Sequence, residues 1–242
     1  MRRTRYLGLL ALVIAACAAD TEDEVVVSAA ASLRDVFGAM EVAFEADHPG
    51  IDILLNFGPS SALRIGILES APVDVFASAG TLDMVEVAAA GLVPAGWEVF
   101  GHNTLQIAVP AGNPAGVSSL EDFGREDLLI GLCAQAVPCG RFAREVLASS
   151  GVTPSVDSLE PDARALLTKL ETGELDAGIT YVTDVASSQG VEGLEIPEEH
   201  NVIVEYPVAA LVGASGSAAE FVAFVLSDSG RTILLDHGFI TP

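Results

Sequence analysis

The chain has 242 residues, half of them hydrophobic, so it holds enough apolar material for one large domain or two small ones. Its 34 acidic residues far outnumber the 11 basic ones, and the formal net charge is −23. So acidic a surface repels polyanions, which excludes nucleic acid as a partner. We expect the acidic side chains to form a solvated coat that keeps the protein soluble.

The N-terminus has the layout of a secretory signal. Three arginines precede an apolar run at residues 7–16, which is too short to span a bilayer. Ile14-Ala15-Ala16-Cys17 resembles a lipobox, where a lipoprotein precursor is lipidated on the cysteine and cut before it. We therefore expect a signal peptide at residues 1–16, a lipid on Cys17 and an acidic tether at residues 17–24. A plain secreted protein cleaved elsewhere is the alternative.

The next stretch predicts a strand, a tight turn and a helix. Residues 25–27 are β-branched, small residues follow, and Ser32 stands where a helix N-cap belongs. Five apolar residues then recur at the spacing of one helical face: Leu33, Val36, Phe37, Met40 and Phe44. The first turn of a helix has N–H groups without partners, and small residues beside it let an anion approach. A capped helix after a buried strand is the alternative.

Strands and helices alternate through the first half of the chain. Strands are predicted at residues 51–55 and 73–77, and helices at residues 60–70 and 81–90. Residues 92–101 show no regular pattern. This alternation is typical of a parallel sheet covered by helices.

A second, similar set of elements follows. Strands are predicted at residues 105–109, 128–132 and 177–181, a short helix near Leu120, and longer helices at residues 141–150 and 162–172. Because two similar sets occur in succession, the chain is predicted to have two halves, each with its own sheet.

The C-terminal segment has no sheet of its own. An extended run at residues 202–212 is followed only by helical segments at residues 218–226 and 229–237, which must pack on an existing sheet. The chain is therefore expected to return to the first half, with a two-strand hinge near residues 103–109 and 203–208. Lobe I is predicted to hold residues 25–104 and 206–242, and lobe II residues 105–205.

Six short motifs follow one another in the order found in the molybdate-binding proteins of ABC importers. They are Ala29-Ala30-Ala31-Ser32-Leu33, Pro59-Ser60-Ser61-Ala62-Leu63, Ala71-Pro72-Val73-Asp74-Val75-Phe76-Ala77-Ser78-Ala79, Val137-Pro138-Cys139-Gly140, Gly178-Ile179-Thr180-Tyr181 and Val204-Glu205-Tyr206-Pro207-Val208. The resemblance implies an α/β, two-lobed periplasmic-binding-protein fold in which each lobe is a mostly parallel sheet flanked by helices. It also implies that lobe closure captures molybdate or tungstate for delivery to a membrane permease and its ATPase.

Matched motif by motif, the resemblance places the ligand contacts on five residues: Ser32, Ser60, Cys139, Ala163 and Tyr181. The serines can offer hydroxyl and amide donors, Cys139 and Ala163 backbone amides, and Tyr181 a phenol. A site made only of donors suits a fully ionised tetrahedral dianion, whereas phosphate keeps a proton and needs an acceptor. Sulfate is the alternative ligand, because only cavity size separates it from molybdate.

Two of these residues also have an ordinary structural explanation. Ala163 follows Asp162, which is a common helix N-cap, and Tyr181 can be a core aromatic at the end of a strand. Asp74, in an apolar strand, is interpreted as a structural hydrogen-bonding residue rather than a ligand contact.

The remaining reactive residues point to a binding protein without a cofactor. Cys133 and Cys139 are expected to form a disulfide, since they are close in sequence and the compartment is oxidising; a two-cysteine metal site lacks partners. The four histidines are dispersed, so we expect no metal site. No serine lies in a Gly-x-Ser-x-Gly elbow, so we expect no enzyme. We expect a monomer held at the membrane only by its lipid.

Overall fold

The computed structural model describes residues 23–242. The predicted signal peptide, the lipidation site Cys17 and the tether up to residue 22 lie outside the described residues. Over the described part, two five-stranded sheets are flanked by helices in an α/β arrangement. No helix between residues 23 and 242 combines the length and the apolar character needed to cross a membrane.

In chain order the strands are β1 (Asp23–Ala30), β2 (Ile51–Gly58), β3 (Val75–Ala77), β4 (Glu98–Asn103), β5 (Leu105–Pro110), β6 (Ile130–Cys133), β7 (Ser158–Glu160), β8 (Ala177–Tyr181), β9 (Val191–Glu195) and β10 (Val204–Ala210). The α-helices are α1 (Arg34–Asp47), α2 (Ser60–Leu68), α3 (Thr81–Ala89), α4 (Pro138–Ser149), α5 (Ala163–Glu171), α6 (Val182–Ala186), α7 (Gly216–Val225) and α8 (Asp228–Asp236). Two short 3-10 helices lie at Ala31–Leu33 and Leu120–Gly124.

The two sheets have the same topology. Their strand orders are β2-β1-β3-β10-β4 and β7-β6-β8-β5-β9. In the first sheet β1 is parallel to β2 and β3, whereas β10 is antiparallel to both its neighbours. In the second, β6 is parallel to β7 and β8, whereas β5 is antiparallel to both its neighbours. Only the fourth strand of each sheet is reversed, which confirms the prediction of mostly parallel sheets.

The chain crosses between the sheets twice. Thr104 alone separates β4 from β5, and residues 196–203 separate β9 from β10. We call the part built on the first sheet lobe I and the part built on the second lobe II. Val204 and Glu205, assigned to lobe II from the sequence, belong to lobe I because both pair with β4.

The first strand also begins earlier than the sequence suggested. β1 starts at Asp23, whose N–H donates to the Gly50 carbonyl oxygen at 2.9 Å and which pairs with Ile51 of β2. Asp23 and Glu24 therefore belong to the sheet and not to the tether. Their charged side chains are exposed at the end of the strand, so no apolar pattern marked them.

The helical face predicted after β1 is confirmed. Leu33, Val36, Phe37, Met40 and Phe44 are all buried, and burying each such side chain contributes about 1.5–3 kcal/mol. The aromatic members pack edge-on against α7 and β4. The apolar face of α1 thereby fixes the end of β1 against the rest of lobe I.

Three short strands were not predicted, namely β4, β7 and β9. Each lies at an edge of its sheet and lacks a clean apolar alternation: β4 and β9 carry exposed glutamates, whereas β7 exposes Leu159 and buries Glu160. The five-residue helix α6 was missed for a similar reason, since it is too short to show a period.

Candidate functional site

A small cavity lies between the lobes, where four helix N-termini meet. Half of its lining comes from each lobe: Ala30, Ala31, Ser32, Pro59, Ser60 and Ala79 from lobe I, and Val137, Pro138, Cys139, Asp162, Ala163 and Tyr181 from lobe II. Its volume is about 10 Å³, far below the ~300–1,000 Å³ of pockets for drug-sized ligands. All five residues predicted as ligand contacts lie in this lining. The cavity suits a compact ligand.

Ser60 opens α2 on the lobe I side. The amides of Ala62 and Leu63 donate back to the Pro59 carbonyl at 2.9 and 3.1 Å, so the amide of Ser60 precedes the first helical bond. The Ser60 side chain is buried, and its Oγ accepts the Ala79 N–H at 3.0 Å. Because that oxygen already accepts a hydrogen bond, the hydroxyl proton is free to donate into the cavity.

Ser32 occupies a different position from the one predicted. It lies inside the 3-10 helix Ala31–Leu33, α1 begins only at Arg34, and the serine makes no capping bond. Its Oγ instead lies 3.3 Å from the phenolic oxygen of Tyr206. Burial raises the pKa of Tyr206, so that phenol stays neutral and can donate to Ser32. The N-cap assignment for Ser32 was wrong, because long-range contact with β10 replaces the local bond.

The N-terminus of α4 faces the cavity from lobe II. The amides of Gly140 and Arg141 both donate to the Val137 carbonyl at 3.1 Å. Pro138 has no N–H, so Cys139 carries the first amide of this helix that lacks an intrahelical acceptor.

The disulfide predicted between Cys133 and Cys139 is present and buried, with 5.7 Å between the Cα atoms. It ties the end of β6 to the first turn of α4. The turn is also tightly packed, because a Cβ added to Gly140 would lie 2.0 Å from the Ala134 carbonyl oxygen. Bond and packing together fix the Cys139 amide at the cavity wall.

The capping interpretation of the α5 start is confirmed, and the same turn also lies at the cavity. Asp162 is the N-cap, and its carboxylate accepts the Ala165 N–H at 2.8 Å. Ala163 nevertheless lines the cavity as the first residue of the helix, where its own amide has no intrahelical acceptor. Asp162 also lines the cavity and is the only charged residue there.

Tyr181 ends β8 with its phenol at the cavity. The side chain is 1% exposed, and the phenolic oxygen is buried without a hydrogen-bond partner among the described residues. Burial raises the pKa of Tyr181 well above its usual value, so the phenol is a neutral donor. A buried hydroxyl left without a partner is costly, and its position in the cavity wall indicates a ligand as the missing acceptor.

A buried carboxyl group lies behind Tyr181. Asp184, in α6, accepts a hydrogen bond from the Thr180 hydroxyl at 2.7 Å. Burial raises the pKa of Asp184 from 3.8 to about 6, and the Thr180 hydrogen bond and the charge of Arg164 only partly offset this effect. Sequence reasoning missed Asp184 and Tyr206, although the motif that contains Tyr206 was recognised. Asp74 has the structural role predicted for it, since its oxygens accept the Val26 and Ser215 amides.

Comparison with known proteins places this geometry in context. Residues 25–240 match the family model described as bacterial extracellular solute-binding protein. The chain is 37% identical to the molybdate-binding protein ModA of Mycobacterium tuberculosis over 221 residues, which cover 90% of this chain and 85% of that protein.

Two solved structures are similar in fold. One is the periplasmic molybdate-binding protein of Azotobacter vinelandii, with a TM-score of 0.80, 14% identity and coverage of 90% of this chain and 99% of that one. The other is the sulfate-binding protein SubI of Mycobacterium tuberculosis, with a TM-score of 0.81, 18% identity and coverage of 90% and 86%. At these identities the likeness concerns the fold alone.

Proposed function

Because the chain belongs to the family of bacterial extracellular solute-binding proteins, we propose that its ligand is molybdate and that it is the binding component of an ABC importer. The observation that carries this proposal is the cavity between the lobes, whose lining offers hydroxyl, phenol and helix N-terminal donors without any lysine or arginine. The relative at 37% identity is named for the same ligand.

A site of this kind can hold a dianion without a counter-charge. Short hydrogen bonds to an ionised acceptor are about twice as strong as neutral ones, and the N-terminus of a helix carries a partial positive charge. Ser60 and Tyr181 each have a proton to donate, and the amides of Cys139 and Ala163 start two helices. Since the whole chain has a charge of −23, affinity comes from these desolvated contacts and not from long-range attraction.

Lobe closure follows from the placement of the donors. Ser32 and Ser60 lie on lobe I, whereas Cys139, Ala163 and Tyr181 lie on lobe II, so all of them reach one anion only in the closed form. The ligand therefore selects the closed state, which a permease can distinguish from the open one.

Tungstate, which has nearly the size of molybdate, should bind comparably. Sulfate has the same charge but is smaller, so we propose that the closed lobes hold the donors at the spacing of the larger anion and leave some of them unmatched by sulfate. Phosphate carries a proton at neutral pH and needs an acceptor. Asp162 has the only carboxylate in the lining, and its Oδ1 is directed at the Ala165 N–H that it caps, so we expect phosphate to bind more weakly than a fully ionised dianion.

The proposal extends to the setting in which the protein works. We place it outside the cytoplasmic membrane, as a monomer anchored by a lipid on Cys17, with a permease and its ATPase as partners. The role is capture and delivery without catalysis: the cavity lining contains no histidine that could activate Ser32 or Ser60 as a nucleophile.

Calorimetric titration of the lipid-free chain, starting at Ala18 and freed of bound anions, tests the proposal. We expect molybdate and tungstate to bind with submicromolar dissociation constants, and sulfate and phosphate to give no heat of binding in the same chloride buffer. Binding of sulfate alone would reassign the ligand. No heat of binding from any of the four anions would refute the proposed function.

A further inference from the structure

One ion pair joins the lobes beside the cavity. Arg141 of α4, in lobe II, places its Nη2 3.1 Å from the Oδ2 of Asp83 in the first turn of α3, in lobe I. Asp83 is fully buried, whereas Arg141 is 25% exposed and does not line the cavity. Arg141 therefore contacts the opposite lobe and is not one of the residues that would contact the ligand.

Asp83 keeps a second partner inside its own lobe. Arg64 of α2 lies 3.6 Å from the Oδ1 of Asp83 and also pairs with Glu86 of α3. If the lobes separate, Asp83 loses Arg141 but retains Arg64. The partner that changes between the open and closed forms is therefore Arg141.

An apolar contact joins the lobes next to this pair. Phe142, which follows Arg141, packs its ring end on Gly80, where an added Cβ would lie 2.8 Å from the ring carbon Cζ. Gly80 has φ +84°, and its N–H donates to the Glu205 carbonyl at 2.9 Å, so the backbone is held in place to receive the ring. The ion pair and the ring contact form a continuous inter-lobe surface.

We propose that Arg141 is a positioning residue, whose pair with Asp83, supported by Phe142 on Gly80, holds the lobes closed over the bound anion. This inference rests on the proposed function for its role in ligand retention. Two acidic lobes repel each other, so a cross-lobe pair around a buried carboxylate offsets that repulsion where the cavity closes. Arg141 thereby slows ligand release without touching the ligand.

A second cross-lobe pair offers a matched control. Arg164 of α5 lies 2.7 Å from Asp35 of α1, but the two side chains are 31% and 50% exposed. Solvent-exposed pairs contribute little because water screens them. Arg164→Gln should therefore change ligand release much less than Arg141→Gln, although both remove one arginine near the cavity.

The competing explanation is that Arg141 attracts the anion through its charge. Asp83→Asn distinguishes the two explanations, because it frees the Arg141 guanidinium from its carboxylate partner. If Arg141 attracts the anion, this variant should bind molybdate more tightly. If the pair holds the lobes together, it should bind molybdate more weakly. Arg141→Gln leaves Asp83 paired with Arg64, so this variant should fold normally even if Asp83→Asn does not.

The experiment measures molybdate release by stopped flow in the wild type, Arg141→Gln, Asp83→Asn and the double variant. We expect molybdate release to be about 10-fold faster than in the wild type in each single variant. The double variant should release molybdate at the same rate as the single variants, because the two residues act as one unit. Tighter binding by Asp83→Asn, or single effects that simply add, would overturn the inference.

A ligand-free readout separates this inference from the proposed function. Dyes on Val42→Cys of lobe I and Leu159→Cys of lobe II, both exposed positions, report lobe closure by single-molecule energy transfer. The ratio of closed to open molecules should fall about 10-fold in Arg141→Gln, and an unchanged ratio would refute the role of the pair. A wild type that does not bind molybdate would refute the proposed function, and the closure ratio would still decide the role of Arg141.

Discussion

Tyr181→Phe removes a single hydroxyl from the cavity wall and leaves the ring in place. The phenolic oxygen has no partner among the described residues, so no intramolecular hydrogen bond is lost with it. A hydrogen bond to a charged acceptor contributes about 1.5–3 kcal/mol. The variant should therefore bind molybdate roughly 10- to 150-fold more weakly, while its free energy of unfolding without ligand stays within about 0.5 kcal/mol of the wild type.

Calorimetry and urea unfolding of the same preparation test both halves of this prediction. Tyr206→Phe is the comparison variant, because Tyr206 does not line the cavity; its phenol contacts Ser32 and its ring packs on Tyr181. The control should lose about 0.5–1.5 kcal/mol of stability with its hydrogen bond and lose less affinity than Tyr181→Phe. If Tyr181→Phe binds molybdate as the wild type does, Tyr181 is only a core aromatic and the donor set is wrong.

The other predictions concern the rest of the site and the group behind it. Ser60→Ala should weaken molybdate binding by about 1–3 kcal/mol in calorimetry, because the ligand loses a hydroxyl donor; unchanged affinity would remove Ser60 from the site. Gly140→Ala should destabilise the chain by several kcal/mol in urea unfolding, about 3 or more, since its Cβ would meet the Ala134 carbonyl oxygen at 2.0 Å; wild-type stability would show that this turn can relax. Burial raises the pKa of Asp184 to about 6, so its carboxyl group holds a proton more tightly in the folded state than in the unfolded state. The free energy of unfolding should therefore fall as pH rises from about 4 to above 6. Between pH 5 and pH 7.5 the wild type should lose about 1 kcal/mol relative to Asp184→Asn in parallel urea titrations, and parallel pH profiles would contradict the raised pKa.

The sequence predicted the elements whose patterns are local. The apolar face of α1 repeats at helical spacing, and the cavity residues Ser60, Cys139 and Ala163 each lie at a helix start that small or turn-forming residues mark. Those starts come together because they follow strands that point the same way in two mostly parallel sheets. The position of the site between the lobes was thus accessible from strand order and the motif resemblance.

What the sequence did not reveal depends on contacts between distant residues. Ser32 meets Tyr206 across 174 positions, and Arg141 meets Asp83 across 58, so no local period records either contact. The unpaired phenol of Tyr181 is likewise visible only once its neighbours are in place. The edge strand β7 exposes Leu159 and buries Glu160, so its sequence shows no apolar pattern.

The most direct measurement is anomalous diffraction at the molybdenum edge from crystals of the lipid-free chain grown with molybdate. We predict one strong peak between the lobes, with anion oxygens within about 2.7–3.1 Å of the Ser60 hydroxyl, the Tyr181 phenol and the amides of Cys139 and Ala163. A peak elsewhere, or an anion held by a lysine or arginine side chain, would contradict a site of neutral donors closed by two lobes.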